Sequence, residues 1–117
     1  MHQLTQLQQY QMETLRLQGQ LSLRLPAKPI VRMRQVQVIQ HTRLQLERLE
    51  ERIRSQIFIS LFSKQRSRYT TLLQHVKHLL DYSFCLQLIA EEYPQDPVGT
   101  VACLQTISLQ ISKLSIS

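Results

Sequence analysis

SLRLPAKPIVRM, residues 22–33, carries two of the chain's four prolines and decides between two architectures. Leu21, Leu23 and Leu25 alternate with polar residues, and Val31, Met33, Val36 and Val38 nearly do, which is the period of a half-buried strand. On that reading residues 20–38 contain a short β-hairpin. On the other, two helices meet at a proline corner. Each proline pushes the residue before it out of the α region, which stops a first helix near Arg24, and Pro29 falls where a first helical turn tolerates it.

The flanks favour the corner. Upstream, Leu7, Tyr10, Leu17, Leu21 and Leu25, with Thr14 among them, recur every three or four residues and share one side of a helical wheel. Gly19 weakens that helix by roughly 1 kcal/mol relative to Ala. Downstream, Ile39, Thr42, Leu46, Leu49, Ile53, Ile57 and Leu61 keep the same spacing, with charges between them. Within QLERLEERIRSQ, Glu50 and Arg54 form an attractive i,i+4 pair, and Arg43 with Glu47 and Arg48 with Glu51 add to it. The polar SKQRSR, residues 63–68, offers two serines to cap a further helix. Tyr69, Leu72, Leu73, Val76, Leu79 and Leu80 then form a third stripe that runs on through Phe84, Leu86 and Ile89. YPQDPVG is a loop by its turn residues, and Val101, Leu104, Ile107, Ile111 and Leu114 suggest a last helix. The expected fold is all-α, a small bundle of three or four helices in one domain over 1–117. Its segments are a helix over 3–24, a turn over 25–29, a long helix over 30–62, a helix over 67–92, a loop over 93–99 and a helix over 100–115.

At 117 residues the chain is one domain's worth, and only two glycines with abundant Leu, Gln and Arg suit helix. The net charge of +6 points to anionic partners: nucleic acid, acidic protein segments or anionic lipid surfaces. That charge is polarised. Residues 26–68 hold ten Arg and Lys against three Glu, a balance of +7, whereas 69–117 hold two Lys against four acids, −2. Cys85 and Cys103 have no CxxC context, so both are read as core-facing thiols of a reduced, cytoplasmic protein. The N-terminus lacks a basic region followed by an apolar run, so no secretory signal is read there, and no membrane span is expected.

Arg34, His41, Arg48 and Arg52 line the side of the second helix opposite its apolar stripe. Together with Arg32, Arg43, Lys64, Arg66 and Arg68 they form the candidate anion or nucleic-acid contact, the alternative being a solvated face with intrahelical ion pairs. IFISLF, residues 57–62, is apolar around the whole helix circumference and is read as a partner interface made by Ile57, Phe58, Ile59, Leu61 and Phe62. His75 and His78 lie three apart, but no carboxylate pair completes a metal site, and both are read as surface histidines. Neither a Ser-His-acid nor a Cys-His grouping is present, so no catalytic residue, metal, cofactor or small-molecule substrate is assigned.

Two resemblances follow. Arg34 with His41 and Arg68 with His75 are each separated by six residues, which resembles the signature of helical HEPN ribonucleases; the polar residue that follows the arginine in that family is replaced by Tyr69 in the second pair. QMETL from Gln11, SLR at 22–24, Pro29, Ile30 and Arg32, IQH at 39–41 and RLEE from Arg48 are together similar to a stretch of the primosomal replication protein PriC family. That resemblance covers about a third of the chain, and the family's N-terminal helices and arginine-flanked cysteine have no counterpart here. It implies a basic helical protein that binds single-stranded DNA and the acidic tail of the single-strand binding protein. The residues themselves support three readings in order: a non-catalytic interaction or adaptor protein that binds a protein partner or self-associates, a basic nucleic-acid-binding accessory protein, and a HEPN-like ribonuclease.

Overall fold

In the computed structural model, which describes residues 5–21 and 29–92 together with 102, 105 and 109, three helices run α1 Gln6–Gln20, α2 Pro29–Ile59 and α3 Ser63–Glu92. The fold is all-α, and among the described residues no strand occurs. The hairpin reading is thereby corrected for residues 29–38, which lie in α2 from Pro29 onward. The ring fixes φ for a helix start, and this outweighs the local alternation of Val31, Met33, Val36 and Val38. Residues 22–28 of the corner and the loop over 93–99 lie outside the described residues. So do the side chain of Arg32 and the thiol of Cys103. Of the last expected helix, Ala102, Gln105 and Leu109 are described and are helical.

Each helix forms for a local reason. Thr5 caps α1: its Oγ1 accepts from the Gln8 N–H at 3.2 Å while Gln8 Oε1 accepts from the Thr5 N–H at 3.0 Å, a reciprocal capping box. The cap starts α1 at Gln6, three residues later than the apolar spacing alone suggests, and α1 ends at Gln20, with Leu21 as its C-cap. On α1 and its C-cap the buried positions are Tyr10, Thr14, Leu17 and Leu21. On α2 they are Ile39, Thr42, Leu46, Leu49 and Ile53, and on α3 Tyr69, Leu72, Leu73, His75, Val76, Leu79, Tyr82, Ser83, Leu86 and Ala90.

Cross-helix contacts set the topology. Tyr10 meets Tyr69 edge to face at 6.3 Å, Gln18 meets His75 at 2.8 Å, and Thr42 donates to Gln20 at 2.9 Å. The N-terminus of α1 therefore lies beside the α2–α3 turn and its C-terminus midway along the hairpin. This is an up-down-up arrangement, with α1 parallel to α3 and antiparallel to α2. The α2–α3 pairing is the larger contact, and α1 lies across it. A 31-residue helix spans about 46 Å, so the molecule's 51 Å long axis runs along the hairpin and the α2–α3 turn forms one end.

Four expected positions are corrected. The break between α2 and α3 falls at Ser60–Phe62, not within 63–68, and SKQRSR forms the first turns of α3. Phe84 is 54% exposed although apolar spacing puts it on the third stripe, and Cys85 is exposed, not core-facing. His75 is 4% exposed, so it is not a surface histidine. From Leu79 the buried row continues at 82, 83, 86 and 90, three or four residues at a time, which takes in Tyr82, Ser83, Leu86 and Ala90 and leaves 84 and 85 on the outer side.

Candidate functional site

The turn that joins α2 to α3 contains neither Gly nor Pro, and polar groups bond the carbonyls at the end of α2. Ser60 Oγ donates back to the Gln56 carbonyl at 2.5 Å. Arg66 then reaches back across the turn, and its guanidinium donates to the Ser60 carbonyl at 2.8 Å. That occupies one of the carbonyls a helix C-terminus leaves without a partner and places a cation at the negative end of α2.

The apolar residues around this turn are largely in solvent. Leu61 is 90% exposed, Phe58 88%, Phe62 71% and Ile59 63%, whereas Ile57 is partly buried against the core. The expected interface residues thus divide. Ile57 packs against the core, and the other four form an exposed apolar end. The expectation of one all-round apolar helix segment over IFISLF is corrected: the helix ends at Ile59, so the last residues of that stretch leave the helical surface altogether.

The basic residues also divide. Arg43 serves the fold: its Nε donates to Ser83 Oγ at 3.3 Å, its Nη2 donates to Gln87 Oε1, and its guanidinium lies 4.1 Å from the centre of the Phe84 ring. It crosses to α3 and does not pair with Glu47. Arg52 is held by Glu13 at 3.4 Å and lies 5.7 Å from the centre of the Tyr10 ring. Arg54 pairs with Glu50 at 3.6 Å as expected. Arg34, His41 and Arg48 are exposed along the outer side of α2, each seven residues from the next. Among the described residues neither Arg34 nor Arg48 has an ion pair.

Lys64 and Arg68 belong to the turn end. They line a cleft of about 430 Å³ with Leu7 and Gln6 of α1 and with Phe62 and Tyr69. Tyr69 closes its floor. Burial, and then the neighbouring Tyr10, push the Tyr69 hydroxyl above its usual range, with a Gln65 hydrogen bond opposing. The N-termini of α1 and α3 both open at this end, and neither helix has an acid in its first turn. From Ile53 to Leu80 the sequence holds Arg54, Lys64, Arg66, Arg68 and Lys77 and no Asp or Glu.

The second arginine–histidine pair is not brought together. His75 is buried against Gln18, and burial, with His78 nearby, lowers its pKa, while Arg68 lies two turns away at the exposed end. Among the described residues no group of three or more His, Cys, Asp or Glu could hold a metal ion, and no helix is long and apolar enough to cross a membrane. In comparisons with protein-family models, with curated proteins and with solved structures, nothing matches the chain. Composition alone locates the apolar end in the sequence. The buried Gln18–His75 contact escapes such reasoning, because neither residue type signals burial by itself.

Proposed function

We propose that the protein is a non-catalytic interaction protein that works by burying its α2–α3 end against a second surface. One observation carries this reading: four large apolar side chains, Phe58, Ile59, Leu61 and Phe62, stand exposed around one turn. Contiguous apolar surface of that kind costs free energy in water and is regained on contact. The residues of the end do not make up for any deficiency in the core, which is already filled by Leu46, Leu49, Ile53, Val76 and Leu79.

The test compares wild-type protein with a Phe58→Ser, Leu61→Ser variant in whole-cell lysate, separated by size and density. Wild type is expected in a heavy fraction, and the variant at the 13.8 kDa of the free chain. Equal migration of the two would overturn the reading.

A second reading, contact with nucleic acid, is favoured by the exposed row Arg34, His41 and Arg48. It predicts single-strand binding that falls steeply with salt and weakens when Arg34 and Arg48 are changed to Ala. Expected aromatic platforms are poorly represented beside that row, so contact there would be with phosphates.

A further inference from the structure

We infer that the second surface is an anionic lipid bilayer, into whose headgroup region the α2–α3 turn inserts; this rests on the docking reading above and names its counter-surface. Three features select it. The apolar side chains of the turn protrude into solvent. Phe58 and Leu61 are nearly as exposed as side chains can be, at one end of the molecule's long axis, and Ile59 and Phe62 complete the turn around them. A protruding turn needs a surface that closes around it from every side, which a fluid bilayer supplies without a matching socket.

Around that turn, charge is of one sign. Lys64 and Arg68 are exposed immediately behind it, Arg66 is fixed on the Ser60 carbonyl, and no acid occurs from Ile53 to Leu80. The first turns of α1 and α3 bring positive helix ends to the same side, and the one negative end there, that of α2, is met by Arg66. Insertion by a few ångströms places this collar at headgroup depth, where each Lys or Arg is worth roughly fivefold in affinity for an anionic surface. Apolar burial and charge then act together, the combination that anchors peripheral proteins.

A second copy of the chain is the poorer occupant. Two such ends meeting face to face would bring Lys64, Arg66 and Arg68 of one against the same residues of the other, and like charges would oppose the apolar gain. Arg54 is paired with Glu50 and Lys77 shares a cleft with Glu47, Glu50, Glu51 and Asp81, so the like charges that would meet are those of Lys64, Arg66 and Arg68.

Purified full-length protein is mixed with vesicles of phosphatidylcholine alone or with about one third phosphatidylserine, and the bound fraction is read by sedimentation. Expected is binding to the anionic vesicles at least about tenfold tighter than to the neutral ones. Phe58→Ser, Leu61→Ser should lose tenfold or more, through the lost apolar burial. Lys64→Gln, Arg68→Gln should lose the preference for phosphatidylserine. Helical circular dichroism should be unchanged in both, since all four side chains are exposed. Equal binding by the Phe58→Ser, Leu61→Ser variant would overturn insertion, leaving charge adsorption only. Absence of wild-type binding to either vesicle would overturn the lipid assignment. If Phe58→Ser, Leu61→Ser nonetheless leaves the heavy fraction of the lysate, docking stands with a protein on the other side; if it does not, both readings fall.

Discussion

His75 shows how much position outweighs residue type. Leu72 and Leu79 flank it at three and four residues, so the helix carries the imidazole inward, where Gln18 Oε1 meets it at 2.8 Å. Burial disfavours the charged ring and holds its pKa below 6.5. Well above 6.5 the ring is neutral in both folded and unfolded chains and has no effect on stability. Below it the unfolded chain takes up the proton first, so stability falls with pH until the folded-state pKa is passed, by at most about 1.4 kcal/mol per pH unit. His75→Gln keeps a hydrogen-bonding side chain and removes the titration. Denaturant midpoints measured across that range should fall less steeply in the variant, and parallel curves would refute the assignment. The same positional rule explains the outward Phe84, whose ring serves the Arg43 guanidinium. Residue polarity puts His75 outward and Phe84 inward; the helical register that buries Leu72, Leu79, Ser83 and Leu86 puts them the other way.

The helices are legible in the sequence where capping chemistry and apolar spacing agree, and displaced where only one of them speaks. Thr5 and Gln8 define the start of α1, and Thr5→Ala should cost about 1 kcal/mol in thermal unfolding by leaving first-turn N–H groups without their partner. Gly19 lies exposed near the end of the same helix, and a methyl group added there would meet nothing within 4 Å, so Gly19→Ala should gain up to about 1 kcal/mol. A loss on that change would show that α1 needs the glycine for another reason. The α2–α3 break is misplaced by sequence reasoning because its signal is tertiary. Ser63 and Ser67 look like caps in sequence, but the carbonyl that Arg66 satisfies belongs to Ser60, six residues earlier, and only the folded turn brings them together. In the candidate site, composition marks IFISLF and the basic run separately. Their convergence with the first turn of α1 around Lys64 and Arg68 requires the return of the chain from 21 to 63.

On the scale of the whole molecule, stability is unevenly shared. The α2–α3 hairpin pairs along most of its length, whereas α1 adds Tyr10, Thr14, Leu17 and Leu21 to the core and is tied by Gln18, Gln20 and Glu13 to His75, Thr42 and Arg52. Thr14 spends its hydroxyl on the Tyr10 carbonyl of its own helix, so it adds no tie across. Regions with fewer buried contacts open at lower free energy, and α1 should therefore open before the hairpin does. In native-state hydrogen exchange, amides of α1 should be less protected than those of Leu46–Ile53 and Val76–Leu79. Acid should widen the difference. Below 6.5 the imidazole takes up a proton more readily once it reaches water than in its buried site, and displacement of Gln18, which belongs to α1, opens that site. After correction for intrinsic exchange, protection in α1 should fall with pH more than protection in the hairpin, and His75→Gln should abolish that difference. Uniform protection across the three helices would mean that α1 and the hairpin unfold as one unit, and that the few ties to α1 are stronger than their number suggests.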